Sequence, residues 1–137
     1  MTIGRCREGP VLLDHDLSVE LDAEPRSAAL ARHALSHLLS ECGVGGEIKD
    51  FALLVVSELV TNAIRFGREP IEFRAHVTED VIRVEVFDGE NQSRRVVDYP
   101  DPWATNGRGL AVVEAVSREW GVARGDGGKT VWATLDR

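Results

Sequence analysis

Glu58 and Asn62 are the two residues whose types and spacing most directly suggest chemistry. They interrupt an apolar run (Val55, Val56, Leu59, Val60, Ala63, Ile64) whose spacing predicts a helix over residues 54–67. Four residues apart on a helix, they share one face. A carboxylate in such surroundings is costly unless a cation or hydrogen bonds compensate it. Together the pair offers oxygens suited to a hard cation such as Mg2+, which takes few protein ligands and keeps several waters. The plainer reading is a solvated Glu with an Asn near a helix end that Gly67 terminates, and the helix by itself favours that reading.

Other polar features lie further along. Asp88-Gly89 falls at the end of an alternating run. Gly107-Arg108-Gly109 opens a second helical pattern, and a glycine-rich turn feeding a helix N-terminus is a ready anion site. Arg108 adds a charged fork that matches phosphate oxygens, although glycines also serve plain tight turns. Gly128-Lys129-Thr130 invites a P-loop reading that fails twice. Ala123 stands where the motif needs Gly, and Thr130 onward reads as a strand rather than a helix. His33 and His37 are four apart, but no third ligand is in view, and they are assigned no chemistry.

The elements that must position these residues fit one domain of 137 residues. Residues 1–15 lack periodicity and are expected to form a loose tail, with the domain spanning 16–137. Leu17, Val19 and Leu21 alternate as a half-buried strand. Pro25 marks a helix start, the helix carries Ala28, Ala31, Ala34 or Leu35, Leu38 and Leu39 on one side, and Gly43 to Gly46 stops it. After the Glu58/Asn62 helix, residues 71–77 and 81–88 read as a β-hairpin. Residues 89–106 show no periodicity and contain Pro100, Pro102 and Trp103. So long a stretch is either a functional lid or a surface loop. The helix opened by Gly107 is expected to present Leu110, Val113, Val116 and Trp120 and to end at Gly121, before a last hairpin. The class is therefore α+β: a two-layer sandwich, its antiparallel-rich mixed sheet covered on one face by three helices.

The net charge of -7 argues against direct nucleic-acid binding and against adhesion to an anionic membrane. No apolar run reaches the length of a membrane span, and no signal-peptide pattern opens the chain, so a cytoplasmic location is expected. Cys6 and Cys42 read as free thiols of a reducing compartment, with a disulfide the minor alternative.

Three boxes in order, Glu58-Leu59-Val60-Thr61-Asn62-Ala63, Val86-Phe87-Asp88-Gly89 and Gly107-Arg108-Gly109-Leu110, resemble the N, G1 and G2 boxes of the GHKL ATP-binding superfamily. The likeness is to its small single-domain branch, the anti-sigma factor serine/threonine kinases and similar short actinobacterial regulators, and runs from about Pro25 to Leu135. It implies a Bergerat-type fold, ATP and Mg2+. By resemblance, Asn62 is the Mg2+ ligand, Glu58 the general base, and Asp88 the acceptor for the adenine amino group, with Gly89 giving room to the base. Gly107, Arg108, Gly109 and Leu110 form the lid hinge and its phosphate-binding backbone, and Thr130 helps hold the adenine side. Three positions depart from the pattern: Glu90 replaces a small residue, Phe66 a frequent His, and Thr105 an Arg common in the kinases of the branch.

The resemblance implies a sigma factor held inactive and an antagonist protein phosphorylated on Ser. A homodimer is also conceivable. Two alternatives stay open: a non-enzymatic switch in which ATP orders the 89–106 segment, and an interaction domain that has lost nucleotide binding.

Overall fold

The computed structural model describes residues 6–8, 13–90, 108–125 and 127–137. Along the chain come β1 (Cys6–Glu8), β2 (Leu13–Leu21), α1 (Arg26–Glu41), α2 (Gly46–Phe66), β3 (Ile71–Val77), β4 (Val81–Asp88), α3 (Arg108–Val116), β5 (Glu119–Gly125) and β6 (Gly128–Asp136). The strands form one sheet in the order β1-β2-β3-β4-β6-β5. Among the described residues every pairing is antiparallel, so the sheet carries none of the expected parallel component.

Period-two alternation sets which way each strand faces. Leu17, Val19 and Leu21 of β2, Phe73, Ala75 and Val77 of β3, Ile82, Val84 and Val86 of β4, and Val131, Ala133 and Leu135 of β6 are all buried. They meet Ala31, Leu35 and Leu39 of α1, Val55, Val56, Leu59 and Val60 of α2, and Leu110 and Val113 of α3 in a single core. Helices therefore cover one face of the sheet, and α3 also packs on α2. Each fully buried Leu or Phe in that layer contributes about 1.5–3 kcal/mol of transfer free energy.

The opposite face is polar. Ser18 donates to Glu72 at 2.7 Å, Arg74 lies between Glu72 and Glu85, and His76 pairs with Asp16. Arg83 bonds Glu85 at 2.7 Å and stands 4.5 Å above the Trp132 ring. Exposed ion pairs contribute only about 0–1 kcal/mol each. Their use here is register, because a one-residue slip would turn these side chains into the core.

Two further expectations are revised. The segment expected as a tail holds β1 and the start of β2, since Cys6, Arg7 and Glu8 pair with His15, Asp14 and Leu13. The third helix ends at Val116 rather than beyond Trp120. Ser117 donates back to Val113 at 2.9 Å, Arg118 donates to Thr134 at 2.7 Å, and the chain has already joined the sheet. Gly121 then lies across from Trp132, where a Cβ would stand 2.9 Å from the indole. It admits that ring within a strand instead of stopping a helix.

Candidate functional site

Asp88 ends β4 on the helix-covered side and is 1% exposed. Its Oδ1 accepts the Glu90 N–H at 2.8 Å, and its Oδ2 accepts from Lys129 Nζ at 2.7 Å. Lys129 stands directly across from Asp88 in the β4–β6 register and is itself 8% exposed. A buried carboxylate needs such compensation.

Close packing around residue 88 and its chain neighbours depends on three glycines, of which Gly67 faces the carboxylate itself. A Cβ at Gly67 would stand 2.5 Å from Asp88 Cγ and 2.7 Å from the Ala63 carbonyl oxygen. One at Gly128 would stand 2.1 Å from the Asp88 carbonyl oxygen, and one at Gly89 2.7 Å from that of Glu69. The Gly89 N–H also donates to the Arg68 carbonyl at 2.6 Å, tying the end of β4 to the turn after α2. Gly67 has φ −101°, open to any residue, so its requirement is space rather than conformation.

Asn62 lies in the last turns of α2, within the buried stripe that includes Leu59 and Ala63, and is 7% exposed. Its Nδ2 has no hydrogen-bond partner among the described residues. The two ends of an Asn amide are assigned from their neighbours, so the observation is of a buried amide with one end unused. An unused end of that kind costs about 1–3 kcal/mol and suits a site completed by a ligand. Its carbonyl end fits a hard cation, so the residues present are compatible with Mg2+. Glu58 is half-buried one turn earlier and has no hydrogen bond or ion pair among the described residues.

Glu90 is 5% exposed, and its carboxylate meets Arg68 Nε at 3.3 Å. The residue that replaces a small one thus buttresses Asp88 through its N–H and ties β4 to the turn after α2. Phe66 is half-buried, with the Arg65 guanidinium 5.2 Å over its ring. Thr130 is corrected. It pairs with Phe87, and strand alternation puts both on the open face, so the residue beside Asp88 is Lys129. Lys129, Gly67 and Gly128 were missed as site residues. A parity count gives the first: with Val131, Ala133 and Leu135 inward, residue 129 is inward too.

Leu110 is buried in the core at the start of α3. Arg108 and Gly109 belong to that helix by their backbone, whereas Gly107 and residues 91–106 of the expected lid lie outside the described residues. His33 is exposed and His37 meets Glu41 at 3.3 Å. Among the described residues no cluster of His, Cys, Asp or Glu could hold a metal through three or more side chains. No helix there is long and apolar enough to cross a membrane.

A separate groove of about 780 Å³ is lined by Glu20, Asp22, Glu69, Glu72, Pro70 and Phe87 among others. Its carboxylates repel a polyphosphate. The helix-covered side, with Asn62 and Asp88 at the ends of α2 and β4, is the better place for one.

Residues 21–135 match the family described as "Histidine kinase-like ATPase domain". Among solved structures, the chain is similar to the RsbU and RsbW domains of Rv1364c from Mycobacterium tuberculosis, with 25% identity and a TM-score of 0.67. The likeness covers 88% of this chain and 31% of that one, so the present chain matches about a third of its length. The N, G1 and G2 boxes, the helix-covered antiparallel sheet and the extent of the match agree: this chain belongs to the histidine kinase-like ATPase domain family, as a GHKL-type domain of the anti-sigma kinase-like kind.

Proposed function

We propose that this protein is an ATP-dependent regulator that acts by switching protein partners, holding a sigma factor inactive and phosphorylating a Ser on an antagonist protein. The observation that carries the reading is the pairing of two incomplete polar groups on the helix-covered side. The Asn62 amide has an unused end, and the Asp88 carboxylate accepts two hydrogen bonds although a carboxylate offers about four lone-pair sites.

In this reading Asp88 accepts from the amino group of adenine, and Gly89 keeps the strand end open to the base. Asn62 would hold Mg2+, which would supply neutralisation of phosphate charge. Glu58, one turn away and uncommitted to any neighbour among the described residues, takes the proton of the attacking Ser hydroxyl. By the resemblance, Gly107, Arg108, Gly109 and Leu110 would offer N–H groups and a guanidinium to the phosphates. Phosphoryl transfer demands little more than such positioning and charge neutralisation. The net charge of -7 suits a protein partner better than DNA, and the site of action is the cytoplasm. A homodimer is compatible with the reading, since among the described residues the edge strand β5 pairs only with β6.

A second reading has a specific observation in its favour. Thr105 stands where the kinases of the branch carry an Arg, which favours a switch that binds ATP without transferring phosphate. Radiolabelled ATP and a co-purified Ser-containing antagonist separate the two. The kinase reading expects labelled antagonist from wild type, and from Glu58→Ala retained ATP binding with no label. Wild type that binds ATP yet labels and hydrolyses nothing leaves the switch and removes the kinase.

A further inference from the structure

Lys129 is used by none of the roles above, yet among the described residues it is the cation that pairs with Asp88. An ammonium has three hydrogens to donate. One goes to Asp88 Oδ2 at 2.7 Å, and among the described residues the other two have no partner. With the residue 8% exposed, water can satisfy them only sparingly, and a buried charged donor left short is costly. Lys129 and Asp88 also lie side by side on neighbouring strands facing the same way. Together they display an acceptor and a donor next to each other.

We infer that Lys129 reads the base: its ammonium donates to a ring nitrogen beside the exocyclic amino group, while Asp88 accepts from the amino group itself. This rests on the nucleotide reading above and adds the residue that completes base recognition. An exocyclic amino group beside an unprotonated ring nitrogen is a donor–acceptor edge, the complement of the Asp88–Lys129 pair. In adenine N1 and N7 lie on either side of the exocyclic amino group, and either gives such an edge. The ion pair thereby serves two states. Without nucleotide, Lys129 neutralises a carboxylate that would otherwise be buried alone. With nucleotide, the same ammonium gains an acceptor it lacked.

The test is calorimetric titration of the full chain with ATP, 1-deaza-ATP and 7-deaza-ATP in Mg2+. Each deaza analogue replaces one ring nitrogen by CH and keeps the amino group. For wild type, one of the two analogues should bind roughly tenfold more weakly than ATP, as expected for loss of a hydrogen bond from a charged donor. In Lys129→Met that analogue and ATP should bind within about twofold of each other, because the reading group is gone. If wild type binds both analogues as tightly as ATP, the inference is overturned while the nucleotide reading stands. The inference also falls if Lys129→Met keeps the wild-type discrimination. No binding of ATP at all removes the nucleotide reading and this inference with it. If Lys129→Met does not fold, the nitrogen-15 signal of the Lys129 ammonium in wild type decides. It should shift with ATP and shift less with the weaker analogue, and an equal shift with all three refutes the contact.

Discussion

Gly67→Ala tests whether the end of α2 positions the Asp88 carboxylate. The added Cβ would stand 2.5 Å from Asp88 Cγ and 2.7 Å from the Ala63 carbonyl oxygen. Carbon atoms in contact prefer about 3.5–4.0 Å, so the side chain or the helix end must retreat by roughly 1 Å. Alanine accepts the local backbone at φ −101°, so strain at residue 67 adds nothing and the cost is that of overpacking. Overpacking of this kind costs about 1–3 kcal/mol. For a chain of this size that lowers Tm by roughly 3–10 °C. Because the displaced group accepts from Glu90 and Lys129 and, in the proposed function, from the base, ATP affinity should fall about tenfold or more. Differential scanning fluorimetry and titration calorimetry read the two effects. The control is Gly125→Ala, where a Cβ meets nothing within 4 Å and stability should stay within about 0.5 kcal/mol. Gly67→Ala with wild-type Tm and wild-type ATP affinity would refute the reasoning.

Three further outcomes follow from the same geometry. Asp88→Asn leaves the Lys129 ammonium buried without its counter-charge and should cost about 3–5 kcal/mol in urea unfolding, whereas Asp88→Asn with Lys129→Met should recover most of that loss. Asn62→Leu removes a buried amide with an unused end and keeps similar volume. It should raise the stability of the nucleotide-free protein by about 1 kcal/mol and abolish Mg2+-dependent ATP binding, a gain and a loss read by thermal unfolding and calorimetry. Gly128→Ala would set a Cβ 2.1 Å from the Asp88 carbonyl oxygen and should destabilise by about 3 kcal/mol, seen as a lower urea midpoint.

The core-facing pattern was open to reading in the sequence because burial and periodicity are the same information seen twice. Ala28, Ala31, Leu35, Leu38 and Leu39 recur at helical spacing and all are buried. The 71–77 and 81–88 alternations appear as the antiparallel pair β3 and β4. Trp120 misled because an apolar residue continuing a helical stripe looks the same whether the chain goes on as a helix or turns into an edge strand. Only the partner across the sheet, Trp132 over Gly121, decides. At the site, Asn62 stood out because it broke an apolar run and Asp88 because it ended an alternating one. Gly67 and Gly128 did not, since their reason is a distance to Asp88 across 21 and 40 residues of sequence, respectively, which no local pattern encodes. Thr130 and Lys129 were exchanged by one step of strand parity, the smallest error available in a sheet and one that moves a side chain to the opposite face.

Calorimetric titration with ATP, with and without Mg2+, of wild type and Asn62→Leu tests the central claim most directly. The account predicts that wild type binds only when Mg2+ is present, and that Asn62→Leu, folded and at least as stable, does not bind. Absence of binding by wild type, or wild-type affinity in Asn62→Leu, would contradict it.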